Sequence, residues 1–325
     1  MMQIFFRILA LMLFGASLAF GANPSVPQEG GKQYAEVIEG NNTLFTPQDK
    51  ANPKLYGGPE VAAIKTWGIN SPHSLGLGEI FTLLQGHYFA LIFLLIVIFV
   101  PMAFYGHYKI IGKRHYSHNN FLLVFSKYNI IVHWCAAVPF VMLCLSGLMM
   151  VFGDKLGGGA LVRFARDLHG IATLFFAVFG TLMFLMWVKD CLFKSYDVKW
   201  MMMLGGYLDK VNREIPAHKF NAGQKMWFWV ATLGGAVMVC SGAIMFFQCV
   251  GIDALRAMAI VHNFVGFLII ALLITHIYMA VFAIEGAIES ILNGKMGEEE
   301  VSMLHSLYYQ DLKAEGKLDA MRLNH

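Results

Sequence analysis

The chain has 325 residues, of which 57% are hydrophobic and only 14% are charged, and its mean hydropathy is +0.58. This balance predicts an integral membrane protein and leaves little room for a large soluble domain. The net charge of +3 is too small and too evenly spread to indicate a nucleic-acid partner.

The first 21 residues have the order of a secretory signal. Arg7 stands near the start, a short apolar core follows, and the small residues Ala19 and Gly21 precede Ala22. This order predicts a bacterial signal peptide over 1–21, cleaved before Ala22. The stretch 22–80 is polar and has too few apolar residues for a core of its own, so we expect a periplasmic arm that packs against a partner or the membrane surface.

Five apolar segments follow, each close to the twenty residues that a helix needs to cross a bilayer. They lie at about 84–109, 128–152, 167–189, 225–249 and 257–284. We therefore predict an all-α integral membrane bundle of about five transmembrane helices. In this interpretation the chain comprises an extra amino-terminal span (84–109), a four-helix core (125–295) and a cytoplasmic tail (296–325).

The basic residues predict the orientation of the bundle. Fifteen Lys and Arg residues fall in the predicted inner segments, against four in the short outer loops. Basic residues favour the cytoplasmic side of a membrane. This asymmetry and the signal peptide both predict a multi-pass protein of the bacterial cytoplasmic membrane, with its amino terminus periplasmic and its carboxyl terminus cytoplasmic.

Two histidines stand in the fifth apolar segment, where an apolar helix has no ordinary use for them. His262 and His276 are fourteen residues apart, which is about 40° short of four full turns and roughly 21 Å along the axis. Both imidazoles therefore leave the same face of one helix, one near each membrane surface. This spacing suits a helix that supplies one ligand to each of two stacked haems.

Histidines at matching depth in other segments supply candidate second ligands. His169 lies just inside the third segment, near the outer surface, and His133 lies about a turn and a half into the second, near the inner surface. Depth therefore pairs His169 with His262, the outer pair, and His133 with His276, the inner pair. Each pair would hold one six-coordinate haem b. The alternative is that these histidines only form hydrogen bonds between helices.

Seven of the other eight histidines lie in polar or interfacial segments, where we expect solvated side chains or side chains at the membrane surface. They are His87, His107, His115, His118, His218, His305 and His325. The five cysteines lie in or next to apolar runs without a CxxC pair, so we interpret them as packing residues and expect neither an iron–sulfur cluster nor a zinc site.

Four stretches together resemble a known family. They are VHW at 132–134, DLHG at 167–170, HKFNAGQKMWFW at 218–229 and VHNFVGFLIIALLITHIYMAVF at 261–282. The combination resembles the cytochrome b (gamma) subunit of respiratory, membrane-bound formate dehydrogenase, a di-haem cytochrome b, over about 125–295. That family has four spans, so the signal peptide, the arm and the first span are additions in this chain.

The resemblance implies that His133 and His276 hold a cytoplasmic-side haem b, and that His169 and His262 hold a periplasmic-side one. It implies a site for menaquinone or another quinone at Asn221, Gly223 and Gln224. The implied function is to anchor the complex and to pass electrons from a periplasmic iron–sulfur (beta) subunit to the quinone. Formate oxidation itself would belong to a molybdenum- or tungsten-containing (alpha) subunit, and this chain would supply no catalytic residue for it.

Several alternatives stay open at this point. Asn221 could simply cap the helix that begins near Ala222, with Gln224 and Lys225 at the membrane interface. The donor could be a hydrogenase, or the chain could serve a thiosulfate or polysulfide reductase. A proton-relaying transporter would need acidic residues within the spans, which are nearly lacking. A purely structural anchor would need no histidine pairs.

Overall fold

The computed structural model describes residues 77–117, 119–153 and 155–323. Within this part of the chain, five helices are long and apolar enough to cross a membrane, and we call them the first to the fifth span. They are Ile80–Ile111, Lys127–Val151, Gly159–Trp187, Ala222–Phe247 and Ile252–Ala283. The predicted all-α bundle is confirmed. The predicted signal peptide at 1–21 and the arm at 22–76 lie outside the described residues.

The described elements include short helices and one small sheet as well as the spans. In chain order they are α1 (Leu77–Leu83), α2 (Phe89–Ile111), β1 (Phe121–Leu123), α3 (Lys127–Val151), α4 (Gly159–Trp187), α5 (Ser195–Met202), α6 (Ala222–Trp229), α7 (Gly235–Phe247), α8 (Ile252–Tyr278), α9 (Glu289–Leu292), β2 (Lys295–Gly297), α10 (Glu298–Leu304), α11 (Ser306–Ala314) and α12 (Leu318–Met321). Single π turns at Leu84–Tyr88, Val230–Gly234 and Met279–Ala283, and a 3₁₀ turn at Leu204–Gly206, complete them.

The helices extend beyond the apolar runs that predicted them. The first span is continuous with α1, so residues 77–80 belong to a helix and not to the predicted arm. The third span begins at Gly159, eight residues before the predicted start at 167. A helix can continue past the hydrocarbon layer, and Arg163 and Arg166 are ordinary helix formers there. His169 consequently lies ten residues inside its helix and not at its edge.

The spans pack as neighbours along the chain. The second lies against the third, the fourth against the fifth, and the first against the fifth. Phe93 of the first span meets Phe267 edge-on, with ring centroids 4.5 Å apart. A Cβ on Gly266 would lie 3.3 Å from Cζ of Phe93, so the glycine lets the first span approach closely. The extra span is thereby fixed to the helix that carries His262 and His276.

One end of the bundle is covered by folded chain, and we call it the capped end; it comprises residues 112–126 without His118, 188–221 and 284–323. Strands β1 and β2 pair antiparallel there, with Leu122 opposite Met296, and both side chains are buried. Arg322 forms a 2.7 Å ion pair with Glu298. The segment after 296 is therefore a folded part of this end. At the opposite end the described residues form short turns around 152–153, 155–158 and 248–251, and we call it the short-turn end.

Candidate functional site

The four predicted histidines lie at two depths in the bundle. His169 and His262 each stand ten residues after the first residue of their helix, Gly159 and Ile252 respectively, or roughly 15 Å from the short-turn end. His133 is six residues after the start of the second span, and His276 is two residues before the end of α8. Both of these last positions adjoin the capped end. The structure thus places two of the histidines at each depth, and their pairing as haem ligands stays a prediction.

The two rings of the outer pair face each other across the bundle. The ring centroids of His169 and His262 are 6.3 Å apart, and the ring planes are inclined by 54°. Two imidazoles that bind one metal through Nε2 at about 2 Å each have ring centres roughly 6 Å apart. The spacing therefore fits a pair of axial ligands on a single iron.

Each histidine of the outer pair contacts a buried serine on the helix before it. Ser146 Oγ lies 2.9 Å from His169 Nδ1, and Ser241 Oγ lies 2.9 Å from His262 Nδ1. The two serines are 0% and 2% exposed. In both histidines Nδ1 is therefore within hydrogen-bond distance of a serine, and Nε2 is the nitrogen that could bind a metal.

Aromatic side chains surround the inner pair. The ring of Trp227 stacks on His276 with centroids 5.2 Å apart and planes inclined by 19°. Trp187 lies 6.4 Å from His133, and His276 is near enough to interact with His133 electrostatically. The Nδ1 atom of His133 is buried and has no hydrogen-bond partner among the described residues. Apolar aromatic walls and a histidine without a protein partner fit a flat macrocycle bound there.

The predicted quinone residues form a tight turn at the start of the fourth span. The backbone N–H of Gln224 donates to Asn221 Oδ1, and the backbone N–H of Asn221 donates to Gln224 Oε1, both at 2.9 Å. This reciprocal pair is a capping box. The alternative that Asn221 caps the helix therefore accounts for the amide oxygens of both side chains. Gln224 is exposed, and its amide NH₂ is not used by the cap.

The same turn is locked to the capped end by close packing and by a buried ion pair. A Cβ on Gly223 would lie 2.8 Å from Cη2 of Trp200, so only glycine fits without displacement. Lys225 Nζ lies 2.8 Å from Asp197 Oδ2, and the two side chains are 0% and 1% exposed. The expectation of Lys225 at the interface is wrong, because α5 folds over it and supplies a carboxylate.

Two further polar groups of the capped end are buried although the sequence places them in polar segments. His305 is 4% exposed, and its Nδ1–H donates to the His218 carbonyl at 2.7 Å, so the expectation of a solvated His305 is wrong. Glu300 is 3% exposed, and burial raises the pKa of its carboxyl group to about 7. Tyr116 and Tyr207 lie close enough to Glu300 to interact with its charge.

His107, predicted at the membrane surface, links three parts of the chain. Its Nδ1 lies 2.6 Å from the Tyr278 hydroxyl, and its Nε2 lies 2.9 Å from the Tyr207 carbonyl. The first span thereby contacts Tyr278 of the fifth span, two residues after His276. It also contacts Tyr207 in the loop that precedes the turn at 221–225. Sequence reasoning missed this contact, as it missed Ser146, Ser241, Asp197 and Glu300. The one sequence signal for the serine contacts was a Ser–Gly pair on the span before each outer histidine, at 146–147 and at 241–242.

A helical bundle that crosses a membrane and pairs histidines between helices defines a class, the membrane cytochromes that hold haem between two imidazoles. The sequence comparison agrees. The chain belongs to the prokaryotic cytochrome b561 family, whose model matches residues 124–294, slightly more than half of the chain. The match covers the second to the fifth span and includes all four histidines.

Among the members of this family, the chain is similar to cytochrome b556 subunits of formate dehydrogenases. The cytochrome b556(Fdn) subunit of the nitrate-inducible formate dehydrogenase of Escherichia coli K12 is 26% identical over 200 residues, 58% of this chain and 90% of that protein. The formate dehydrogenase cytochrome b556 subunit of Haemophilus influenzae is 29% identical over 193 residues, 56% of this chain and 79% of that protein. The predicted resemblance to this subunit is confirmed, and its predicted extent, 125–295, agrees with the match to the family model.

Proposed function

We propose that this chain is the membrane-anchoring di-haem cytochrome b subunit of a formate dehydrogenase, which transfers electrons from a periplasmic iron–sulfur subunit to menaquinone or another quinone. His169 and His262 would hold one haem b, and His133 and His276 a second. Bound haem b supplies a one-electron carrier at each pair. Formate oxidation would take place on a separate molybdenum- or tungsten-containing subunit.

The observation that carries this proposal is the 6.3 Å separation of the His169 and His262 rings within the stretch matched by the family. The hydrogen bonds between helices involve only one nitrogen of each ring. Here each Nδ1 is bonded to a serine of its own helix pair, so the facing nitrogens stay available to a metal. The curated relatives described above are formate dehydrogenase subunits, which favours formate as the electron source.

The quinone would bind beside the inner pair, at the turn formed by Asn221, Gly223 and Gln224. Trp227 connects this turn to His276, because it lies on the helix that Asn221 caps and stacks on the His276 ring. The carbonyl oxygens of the two amides are occupied by the cap. The NH₂ group of Gln224 would therefore donate to a quinone carbonyl.

The orientation follows from the distribution of basic residues. The capped end carries twelve of the 19 Lys and Arg of the described residues and would face the cytoplasm, with the short-turn end facing the periplasm and the iron–sulfur subunit. The chain would lie in the bacterial cytoplasmic membrane with its amino terminus outside. Electrons would then move inward, and proton uptake by the quinone at the capped end would add to the membrane potential.

A hydrogenase or a thiosulfate or polysulfide reductase complex is the alternative assignment. The family match fits a hydrogenase donor or a reductase acceptor equally well, because it describes the cytochrome and not the catalytic partner. The electron donor that reduces the isolated complex distinguishes these possibilities.

The test is to isolate the complex through an affinity tag on this chain and to follow haem absorbance and quinol formation after adding formate. We expect formate to reduce the haems and then a menaquinone analogue. His169→Ala should prevent haem reduction by formate, and His276→Ala should stop quinol formation while the outer haem is still reduced. His115→Ala, a change at an exposed histidine, serves as the matched control. Reduction by hydrogen but not by formate would overturn the assignment.

A further inference from the structure

The two serines that contact the outer pair occupy equivalent places in two helix pairs. Ser146 and Gly147 of the second span are followed by His169 on the third, 23 residues after the serine. Ser241 and Gly242 of the fourth span are followed by His262 on the fifth, 21 residues after the serine. The same Ser–Gly pair therefore meets a histidine on the next antiparallel helix in both halves of the bundle.

Each serine oxygen lies within hydrogen-bond distance of a backbone carbonyl and of an imidazole nitrogen. The Ser146 hydroxyl donates to the Met142 carbonyl at 2.6 Å, and the Ser241 hydroxyl donates to the Val237 carbonyl at 2.7 Å. Because a hydroxyl has one proton to donate, each serine oxygen accepts from the imidazole at 2.9 Å. This arrangement favours the Nδ1–H tautomer of both histidines.

The glycine beside each serine lies next to the Cε1 edge of the histidine ring. A Cβ on Gly147 would lie 3.6 Å from His169 Cε1, and a Cβ on Gly242 would lie 3.5 Å from His262 Cε1. These are ordinary van der Waals distances, so an added Cβ would still fit beside each ring and the glycine leaves the Cε1 edge unobstructed. The serine orients the imidazole through Nδ1, which directs Nε2 away from the serine.

The inner pair lacks this arrangement. The Nδ1 atom of His133 finds no hydrogen-bond partner within the described ranges, and Trp227 packs against the face of His276. An imidazole whose Nδ1–H donates to an acceptor is a more basic ligand. The serine oxygen is a stronger acceptor because its own proton is donated to a carbonyl in a buried site.

We infer that Ser146 and Ser241 are positioning residues that hold both outer histidines as Nδ1–H donors and lower the reduction potential of the outer haem relative to the inner one. A more basic ligand stabilises the oxidised iron, so electrons pass inward with a favourable driving force. This inference rests on the proposed function, since it presupposes a haem at each pair.

The test is a spectroelectrochemical titration of the purified holoprotein. His133→Ala leaves only the outer haem, and His169→Ala leaves only the inner one, so each background gives a single transition. We expect Ser146→Ala and Ser241→Ala each to shift the outer potential upward, with a larger shift in the double variant. Neither change should move the potential in the His169→Ala background.

A matched control is Thr232→Val, because Thr232 is a buried hydroxyl of the fourth span that donates to the Phe228 carbonyl at 2.7 Å and forms no hydrogen bond with any of the four histidines. It should leave both potentials unchanged. An outer potential unmoved by the serine changes, or equal shifts in both backgrounds, would overturn the inference while leaving the haem assignment intact. If the alanine variants lose the outer haem, Ser146→Cys and Ser241→Cys replace them, because a thiol is a weaker hydrogen-bond acceptor than a hydroxyl. An outer haem potential that these cysteine variants leave unchanged would also overturn the inference. Absence of haem from the wild-type protein would refute the proposed function itself.

Discussion

Replacing Lys225 by methionine should destabilise the capped end by about 3–5 kcal/mol, because it leaves a buried carboxylate without its counter-charge. Lys225 Nζ donates to Asp197 Oδ2 at 2.8 Å, to the Leu192 carbonyl at 3.1 Å and to the Tyr196 hydroxyl at 3.4 Å. These bonds join the start of the fourth span to α5 and to the end of the third span.

The size of the effect follows from what would remain around Asp197. Its Oδ1 is already buried without a hydrogen-bond partner in the described structure, and its Oδ2 would keep only the Lys194 backbone N–H at 2.7 Å. Methionine fills most of the volume of the lysine stem, so the cost is mainly electrostatic. Adding Asp197→Asn removes the stranded charge and can keep the Lys194 bond, so the double variant should recover most of the loss.

The assay is unfolding of the purified protein in detergent, with hydrogen exchange of residues 189–225 reporting on this end of the bundle. Lys199→Met, at an exposed position on α5, the helix that carries Asp197, is the control and should cost less than about 0.5 kcal/mol. If the double variant is no more stable than Lys225→Met, or if Lys225→Met costs less than about 1 kcal/mol, the buried charge is not what holds this end together.

Two further changes at the capped end have predictable results. Burial raises the pKa of the Glu300 carboxyl group from 4.5 to about 7, so the folded protein holds this proton more tightly than the unfolded chain does. The free energy of unfolding that this proton contributes is fully present below about pH 4.5 and is lost as the pH rises to about 7. Glu300→Gln should therefore raise the unfolding temperature at pH 8 but not at pH 4, with a gain of roughly 3 kcal/mol as an upper figure, and equal gains at both pH values would contradict this. Gly223→Ala places a Cβ 2.8 Å from Trp200 and should cost about 1–3 kcal/mol in thermal unfolding. Gly106→Ala, with nothing within 4 Å, should cost little, and an equal loss in both would argue against the clash.

The membrane bundle and the depth of the histidines could be predicted because they depend on local pattern. Apolar length locates each span, and a helical period of 3.6 residues puts His262 and His276 on one face whatever surrounds them. The same reasoning predicted that His133 lies at the depth of His276 and that His169 lies at the depth of His262. Only the ends of the helices differed, because polar residues extend a helix beyond the bilayer without changing its face.

The capped end could not be predicted because it depends on pairing between distant segments. Lys225 and His305 look like solvated residues in the sequence, and they become buried only when residues 188–221 and 284–323 fold over the ends of the spans. Ser146 and Ser241 are similar, since a serine in an apolar helix normally bonds to its own backbone. Its second contact, with a histidine on the next helix, appears only when the two helices are packed.

The most direct test of the account is pyridine haemochrome quantitation of the purified chain and of the four single His→Ala variants at 133, 169, 262 and 276. Two haem b per chain are expected in the wild type and one in each single variant. Replacing both members of the outer pair should still leave one haem, and replacing His169 together with His133 should leave none. A wild-type protein that binds one haem or none, or a loss pattern that does not follow the two pairs, would contradict the account.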